Sequence, residues 1–184
     1  MDRAGGVGEP VALSSLPPSP DVLHDLLAPS LRVVLCGTAA SAVSAKVGAY
    51  YANPQNKFWA ILHETGLTPA RLQPHQFHDL LNYRIVLTDL VKTHSGMDHQ
   101  VRSGFGAIAR ARLRASILRY SPAFLAFTSK AAGQNFLGGK RDYGEQPETL
   151  ADTRIWILPS TSSAANGSWR PEVWHEFADR VRAV

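Results

Sequence analysis

The sequence predicts an α/β fold, in which a central, mainly parallel sheet of four strands carries helices on both faces. Short, β-rich apolar runs alternate with stretches of helical periodicity, which is typical of βαβ units. Hydrophobic residues make up 45% of the 184 residues and charged residues 18%, so the chain can bury a core. No run of about 18 apolar residues occurs, so no membrane-spanning helix is expected.

Residues 1–20 are rich in glycine and proline and predict a flexible N-terminal leader, which leaves 21–184 as a single domain. The leader lacks the apolar segment of a secretory signal. The single cysteine, Cys36, excludes a disulfide framework and a cysteine-based zinc site. We therefore expect a cytoplasmic protein. A net charge of +4 weakly favours a polyanionic partner.

The first half of the chain predicts two helices around one strand. Residues 21–27 suit a short helix capped by Asp21, and the apolar run at 31–36 suits a buried strand. Residues 38–52 are small and polar and predict a long loop. Asn53 then begins a helix, because Asn is a favourable N-cap and a proline follows it at the first helical position.

The second half continues the alternation. A strand is predicted at 84–91, a helix at 105–119, a strand at 124–128 that leads into a helix, a strand at 155–158, and a final helix at 171–182. The residues expected to face inward from the helix at 105–119 are Ile108, Leu113 and Ile117.

Ligands of parallel α/β sheets bind outside the carboxyl ends of the strands. The segments that follow the predicted strands are rich in Ser, Thr and Asn and poor in charge, which favours a neutral polar ligand over a metal ion. No G-x-G-x-x-G follows the first strand and no G-x-S-x-G occurs, which argues against a dinucleotide-binding enzyme and an α/β-hydrolase. His75 and His78 are expected on a solvated helix end rather than in a metal site.

Two motifs, in this order, carry a family resemblance. The first runs from GTAAS at 37–41 to YYANPQNKFW at 50–59, and the second is LPSTSSAAN at 158–166. Together they resemble the mismatch-specific uracil/thymine DNA glycosylases and the related hypoxanthine-DNA glycosylases of the uracil-DNA glycosylase superfamily. The resemblance covers roughly 31–184 and implies that family's fold, with a base flipped out of DNA into a pocket.

The resemblance also assigns candidate site residues, with one departure. The mismatch-specific branch positions its attacking water with an Asn where this chain has Ala39. The resemblance to the hypoxanthine branch implies that a later Asn takes this role, and Asn56 matches its position. Asp89, at the end of the second strand, is the rival catalytic candidate. Tyr51 is expected to stack on the flipped base, and the pocket would include Thr38 and Ala39.

Three further features have competing interpretations. Asn53 is either only a helix cap or also part of the pocket mouth. Lys130, at a strand end, is a candidate phosphate contact. The second motif is expected to enter the minor groove as a wedge loop. Its expected DNA-contacting residues are Ser160, Thr161, Ser162, Ser163, Ala164, Ala165 and Asn166.

These features predict a monofunctional DNA glycosylase that removes uracil, or a related deaminated base, without a cofactor or metal ion. Its expected partners are DNA carrying such a base and the abasic-site product, and it is expected to act as a monomer away from membranes. A hypoxanthine-DNA glycosylase, a non-cleaving module that binds abasic or mismatched DNA, and a hydrolase of free nucleosides remain alternatives. The sequence does not rank the three candidate bases.

Overall fold

The computed structural model describes residues 21–97 and 105–184, so the predicted leader at 1–20 lies outside the described residues. The predicted α/β architecture is confirmed: the sheet is mainly parallel and helices cover both faces. The strands are β1 (Val33–Ala40), β2 (Ile85–Ser95), β3 (Phe124–Phe127), β4 (Gly144–Leu150) and β5 (Thr153–Ile157). The helices are α1 (Ala42–Val47), α2 (Phe58–Glu64), α3 (Ala107–Tyr120), α4 (Lys130–Leu137) and α5 (Pro171–Arg182).

The sheet has five strands in the order β2-β1-β3-β5-β4, rather than the four predicted. The four predicted strands are parallel, and β4 is an additional antiparallel edge strand paired with β5. Its sequence, GEQPETL, is polar and contains a proline, which is tolerated at a sheet edge but gives little strand signal.

Each face of the sheet buries one set of alternating strand residues. Val33 and Leu35 of β1 pack with α2 and α5, whereas Val34 and Cys36 pack with α3 and α4. This alternation follows from the two-residue period of a strand and explains why the central strands are apolar throughout.

The segment between β1 and α2 departs from its prediction. The predicted long loop contains α1, which Ser41 caps by accepting a hydrogen bond from the Ser44 backbone N–H at 3.1 Å. Asn53 is not a helix cap, because α2 begins only at Phe58. Asn53 Oδ1 instead accepts a hydrogen bond from the Gln55 backbone N–H at 2.9 Å, a local turn that competes with helix formation.

Three other expectations are wrong. The segment 21–27 is irregular rather than helical. Strand β2 continues past 91 to Ser95, so Asp89 lies inside the strand rather than at its end. Ile108 is 87% exposed, because the helical repeat places it on the opposite face of α3 from Leu113 and Ile117, which are buried as predicted. Within the described residues, no helix has the length and apolarity needed to cross a membrane.

Candidate active site

A cleft of about 690 Å³ lies at the carboxyl edge of the parallel strands, where the fold class predicts a ligand. It brings together every predicted site residue except Asn166. Those residues are Thr38, Ala39, Tyr51, Asn53, Asn56, Asp89, Lys130, Ser160, Thr161, Ser162, Ser163, Ala164 and Ala165.

The Asp89 carboxyl forms part of the cleft floor. Asp89 on β2 pairs with Gly37 on the neighbouring strand β1 and is only 4% exposed. A Cβ atom at position 37 would lie 2.4 Å from Asp89 Oδ1, so the glycine makes room for this carboxyl. Among the described residues, the Asp89 carboxyl has no hydrogen-bond or ion-pair partner, although it faces the cleft. Its oxygens open to the cleft and are not sealed from solvent, so water or a ligand in the cleft can be the partner that a carboxyl in this position needs.

Burial raises the pKa of Asp89 to about 7, well above its ordinary value of 3.8. The charges of Lys92 and Arg112 act to lower this pKa, whereas the charge of Asp25 raises it further. With a pKa of about 7, the carboxyl is mostly protonated at pH 6, half protonated near pH 7 and mostly ionised at pH 8. A neutral carboxyl can donate a hydrogen bond, which an ionised one cannot do.

Tyr51 forms one wall of the cleft. Its ring stacks on the fully buried Phe58 ring, with 3.7 Å between the centroids and 11° between the planes. Its hydroxyl lies 2.9 Å from Thr128 Oγ1. Because one ring face is covered by Phe58 and the hydroxyl is held, the other face is the one that lines the cleft. The backbone of Tyr51 has a φ of +51°, an uncommon conformation for a non-glycine residue that often marks functional sites.

Hydroxyl groups continue the floor from Tyr51 towards α4. Thr128 also contacts the Cys36 carbonyl at 3.4 Å. Thr38 Oγ1 lies 2.8 Å from Ser129 Oγ, and Ser129 caps α4. The segments predicted to lie at the ligand-binding ends of the strands include Gly37, Thr128 and Ser129, but these three were not assigned individual roles in the site.

Asn56 lines the same cleft as Asp89. Its Oδ1 accepts a hydrogen bond from the Phe58 backbone N–H at 3.0 Å, which fixes the orientation of the side-chain amide because an N–H can only donate. The amide N–H₂ group and one oxygen lone pair remain available for a ligand. Ala39 also lines the cleft but has no polar side-chain atom.

Two hydrogen bonds anchor the start of the loop at 160–166 to the rest of the fold. The Thr161 carbonyl accepts the Lys57 backbone N–H at 3.0 Å, and the Trp174 indole donates to the Pro159 carbonyl at 3.0 Å. Thr161 is buried, whereas Ala164 is exposed at the tip. The loop therefore combines a rigid base with an accessible tip. Asn166 lies outside the cleft, where its side-chain oxygen accepts a hydrogen bond from the Lys57 ammonium.

Lys130 lies at the cleft edge, next to two side chains. Its ammonium is 3.3 Å from Asp142 Oδ1 and 4.4 Å from the centre of the Tyr143 ring. Asp142 is fully exposed on its side chain, so this ion pair is weak and can open for a phosphate. No three His, Cys, Asp or Glu side chains in the described part of the chain cluster closely enough to hold a metal ion.

One comparison with known proteins bears on this arrangement. The family model for the uracil DNA glycosylase superfamily matches residues 24–178, a span that contains the sheet and every predicted site residue. The match covers most of the chain, and it agrees with the fold and with the cleft at the strand ends. In general terms, this points to hydrolytic glycosylase activity on DNA, and hence to base-excision repair. The chain belongs to the uracil DNA glycosylase superfamily.

Proposed function

We propose that this protein is a monofunctional DNA glycosylase that excises uracil, or a related deaminated base, and leaves an abasic site. The observation that carries this proposal is the buried Asp89 carboxyl, which has no partner in the described residues and faces a cleft walled by one face of Tyr51. A flat base stacked on Tyr51 could supply the missing hydrogen-bond partner. The base would have to leave the DNA helix to reach this position.

The reaction breaks the bond between the base and C1′ of deoxyribose. The base departs with the bonding electron pair as an anion, while the sugar develops oxocarbenium character. A neutral Asp89 can donate a hydrogen bond to an oxygen of the departing base and stabilise that anion. An ionised Asp89 would repel it. The flipped base would also exclude water from the floor, which favours the neutral carboxyl further.

A water molecule then adds its oxygen to C1′ and releases a proton to solvent. We assign the positioning of this water to Asn56, because the Phe58 backbone fixes its amide while leaving hydrogen-bonding groups free. Ala39 cannot perform this task. The alternative assigns the water to an ionised Asp89, and it predicts the opposite pH dependence.

A lyase step needs an amine nucleophile near C1′. Lys130 is the one lysine that lines the cleft within the described residues, and it lies beside Asp142 and Tyr143 at the edge. This location suits a phosphate contact better than attack on the sugar. We therefore propose hydrolysis alone, with no covalent intermediate.

Uracil and hypoxanthine both present a carbonyl next to a ring N–H, so either base offers the same groups to the Asp89 carboxyl. A hypoxanthine-DNA glycosylase is therefore an alternative within the same chemistry. A non-cleaving module that binds abasic or mismatched DNA is the second candidate function. Ala39 favours it, since this residue replaces the usual water-positioning Asn.

A single-turnover excision assay tests the proposal. Matched oligonucleotides carry uracil, hypoxanthine or mispaired thymine, single- and double-stranded, and alkaline cleavage reveals abasic product. We expect product from at least one deaminated base, and none from the matched control variant that combines Asn56→Ala with Asp89→Ala. Release of no base from any substrate, together with tight binding of abasic DNA, would favour the binding module.

A further inference from the structure

Lys57 joins both ends of the loop at 160–166 to the segment that leads into α2. Its backbone N–H donates to the Thr161 carbonyl at 3.0 Å, at the start of the loop. Its side-chain ammonium donates to Asn166 Oδ1 at the other end and lies 5.4 Å from the centre of the Trp169 ring. The mechanism described above gives this lysine no task.

The tip of the loop and the residues after it, Ser163–Ser168, fold on themselves as short turns of 3-10 helix. The Ser162 carbonyl accepts the Ala165 backbone N–H at 2.9 Å, a bond that stays within this part of the chain. Within the described residues, the bond from the Lys57 ammonium to Asn166 is the one hydrogen bond that joins these turns to a distant part of the chain. The internal bonds give the tip its shape, whereas the Lys57 side chain fixes where it lies.

Lys57 is also the direct neighbour of the residue proposed to position the water. Asn56 Oδ1 accepts the Phe58 backbone N–H at 3.0 Å, and the Asn56 backbone N–H donates to the Asn53 carbonyl at 2.9 Å. The short segment 56–58 therefore orients the Asn56 amide and, through Lys57, holds the loop. The loop and the proposed water site share one piece of backbone.

The position of such a loop matters most in duplex DNA. A base that leaves a duplex opens a gap between its stacked neighbours, and a loop that fills the gap must resist their restacking. Ala164 and Ala165 bring only small side chains to that gap, so filling it depends on where the loop is held. Single-stranded DNA has no such gap to fill.

We propose that Lys57 is a positioning residue, which holds the loop at 160–166 in register with Asn56 and the cleft so that the loop can fill the gap left by a flipped base. The inference rests on the proposed function, in which a base leaves DNA for the cleft. Lys57 does not line the cleft, so its role is exerted through Asn166 and Trp169 rather than by contact with the base.

The first test measures the affinity for abasic duplex relative to intact duplex, by fluorescence anisotropy at fixed salt. Lys57→Met keeps much of the side-chain volume but cannot donate a hydrogen bond. Its preference for abasic duplex should fall about fivefold to tenfold, the order expected for one hydrogen bond and one cation–π contact in a partly exposed site. Asn166→Ala should cause a similar loss. The double variant should lose no more than the larger single loss, because both changes remove the same contact.

Two control variants accompany this test. Lys57→Arg keeps a cation and hydrogen-bond donors and should retain most of the preference. Lys46→Met removes an exposed lysine of α1 that does not line the cleft, and it should leave the preference unchanged. Should Lys57→Met fail to fold, Asn166→Ala still tests the contact, because Asn166 is exposed.

A lysine that only neutralised a phosphate would behave differently. Lys57→Met would then weaken binding of abasic and intact duplex equally and reduce the slope of log affinity against log salt by about one, and Asn166→Ala would have no comparable effect. That result would overturn the proposal. Additive losses in the double variant, or a wild-type protein with no preference for abasic duplex, would overturn it as well.

A second readout separates this inference from the proposed function. The fluorescent base 2-aminopurine, placed next to the abasic site, reports insertion of the loop and needs no catalysis. A weaker response in Lys57→Met than in wild type would support the positioning role even if no base were excised. In an active glycosylase, Lys57→Met should slow single-turnover excision from duplex more than from single-stranded DNA. An unchanged fluorescence response together with equal losses on both substrates would refute the inference while leaving the glycosylase assignment intact.

Discussion

The proposed role of Asp89 predicts a specific pH dependence of excision. Asp89 should act as the neutral acid, and burial raises its pKa to about 7. From pH 6 to pH 8 the neutral fraction then falls from about 0.9 to about 0.1, so kcat/KM should fall about tenfold. An Asp89 that worked as a general base would give the opposite slope.

The variant Asp89→Asn tests whether the pH dependence comes from ionisation of Asp89. The asparagine amide keeps a hydrogen-bond donor of similar size beside Gly37 but cannot ionise in this range. We expect this variant to retain measurable excision and to lose the pH dependence between 6 and 8. Asp89→Ala removes the donor and should lower the single-turnover rate by about 10²-fold or more, in line with the loss of one donor to a developing anion.

The assay is single-turnover release of uracil from a double-stranded oligonucleotide at enzyme concentrations below saturation, where the observed rate reports kcat/KM. Ionic strength is held constant, since phosphate contacts respond strongly to salt. Binding of abasic DNA at each pH is the control for effects on DNA affinity. A rate that rises through pH 7, or an inactive Asp89→Asn variant with an intact fold, would refute the reasoning and identify Asp89 as the base that activates water.

The remaining predictions concern the cleft and its stability. Tyr51→Ala should lower excision about tenfold to a hundredfold, as one lost stacking contact of about 1–3 kcal/mol implies, whereas Tyr51→Phe should retain most activity in the same assay. Asn56→Ala should lower single-turnover excision about 10²-fold, with abasic-DNA binding preserved and some activity kept in Asn56→Asp; a wild-type rate would contradict the water-positioning role. Wild-type protein should bind abasic duplex more tightly than intact duplex, with steep salt dependence in a titration; equal affinities would contradict this. The pKa of Asp89 is about 7 in the folded protein against an ordinary value of 3.8, so its ionisation lowers the free energy of unfolding as pH rises between these values. Asp89→Asn should therefore raise the unfolding free energy, measured by denaturant titration, by up to about 4 kcal/mol at pH 8 and by little below pH 4.

The sequence by itself determined the fold class of this protein and the location of its cleft. Continuous apolar runs predicted the parallel strands, because a strand that is covered on both faces buries nearly all of its side chains. The parallel arrangement then located the cleft at their carboxyl ends. The two motifs assigned Tyr51 and the loop at 160–166 to that cleft, and the structure brings them together there with the exception of Asn166.

Two features of the fold were not predicted from the sequence: the turns that precede α2 and the edge strand β4. Asn53 and Asn56 both bond to backbone N–H groups two residues ahead, so two turns replaced the predicted start of α2. Strand β4 is an edge strand whose side chains are largely polar and partly exposed, and the sequence pattern of such a strand resembles that of a loop.

Only the tertiary structure decided the properties of Asp89. In the sequence it is one carboxyl in a predicted strand, with no sign of whether it is solvated, paired or buried. Its raised pKa follows from burial next to Gly37, and the charge of Asp25 raises it further, against the opposing charges of Lys92 and Arg112. Asp25 and Lys92 are 67 positions apart in the chain, and only the folded protein brings them together. Desolvation and charge pairing depend on distances in space, whereas sequence patterns report only neighbours along the chain.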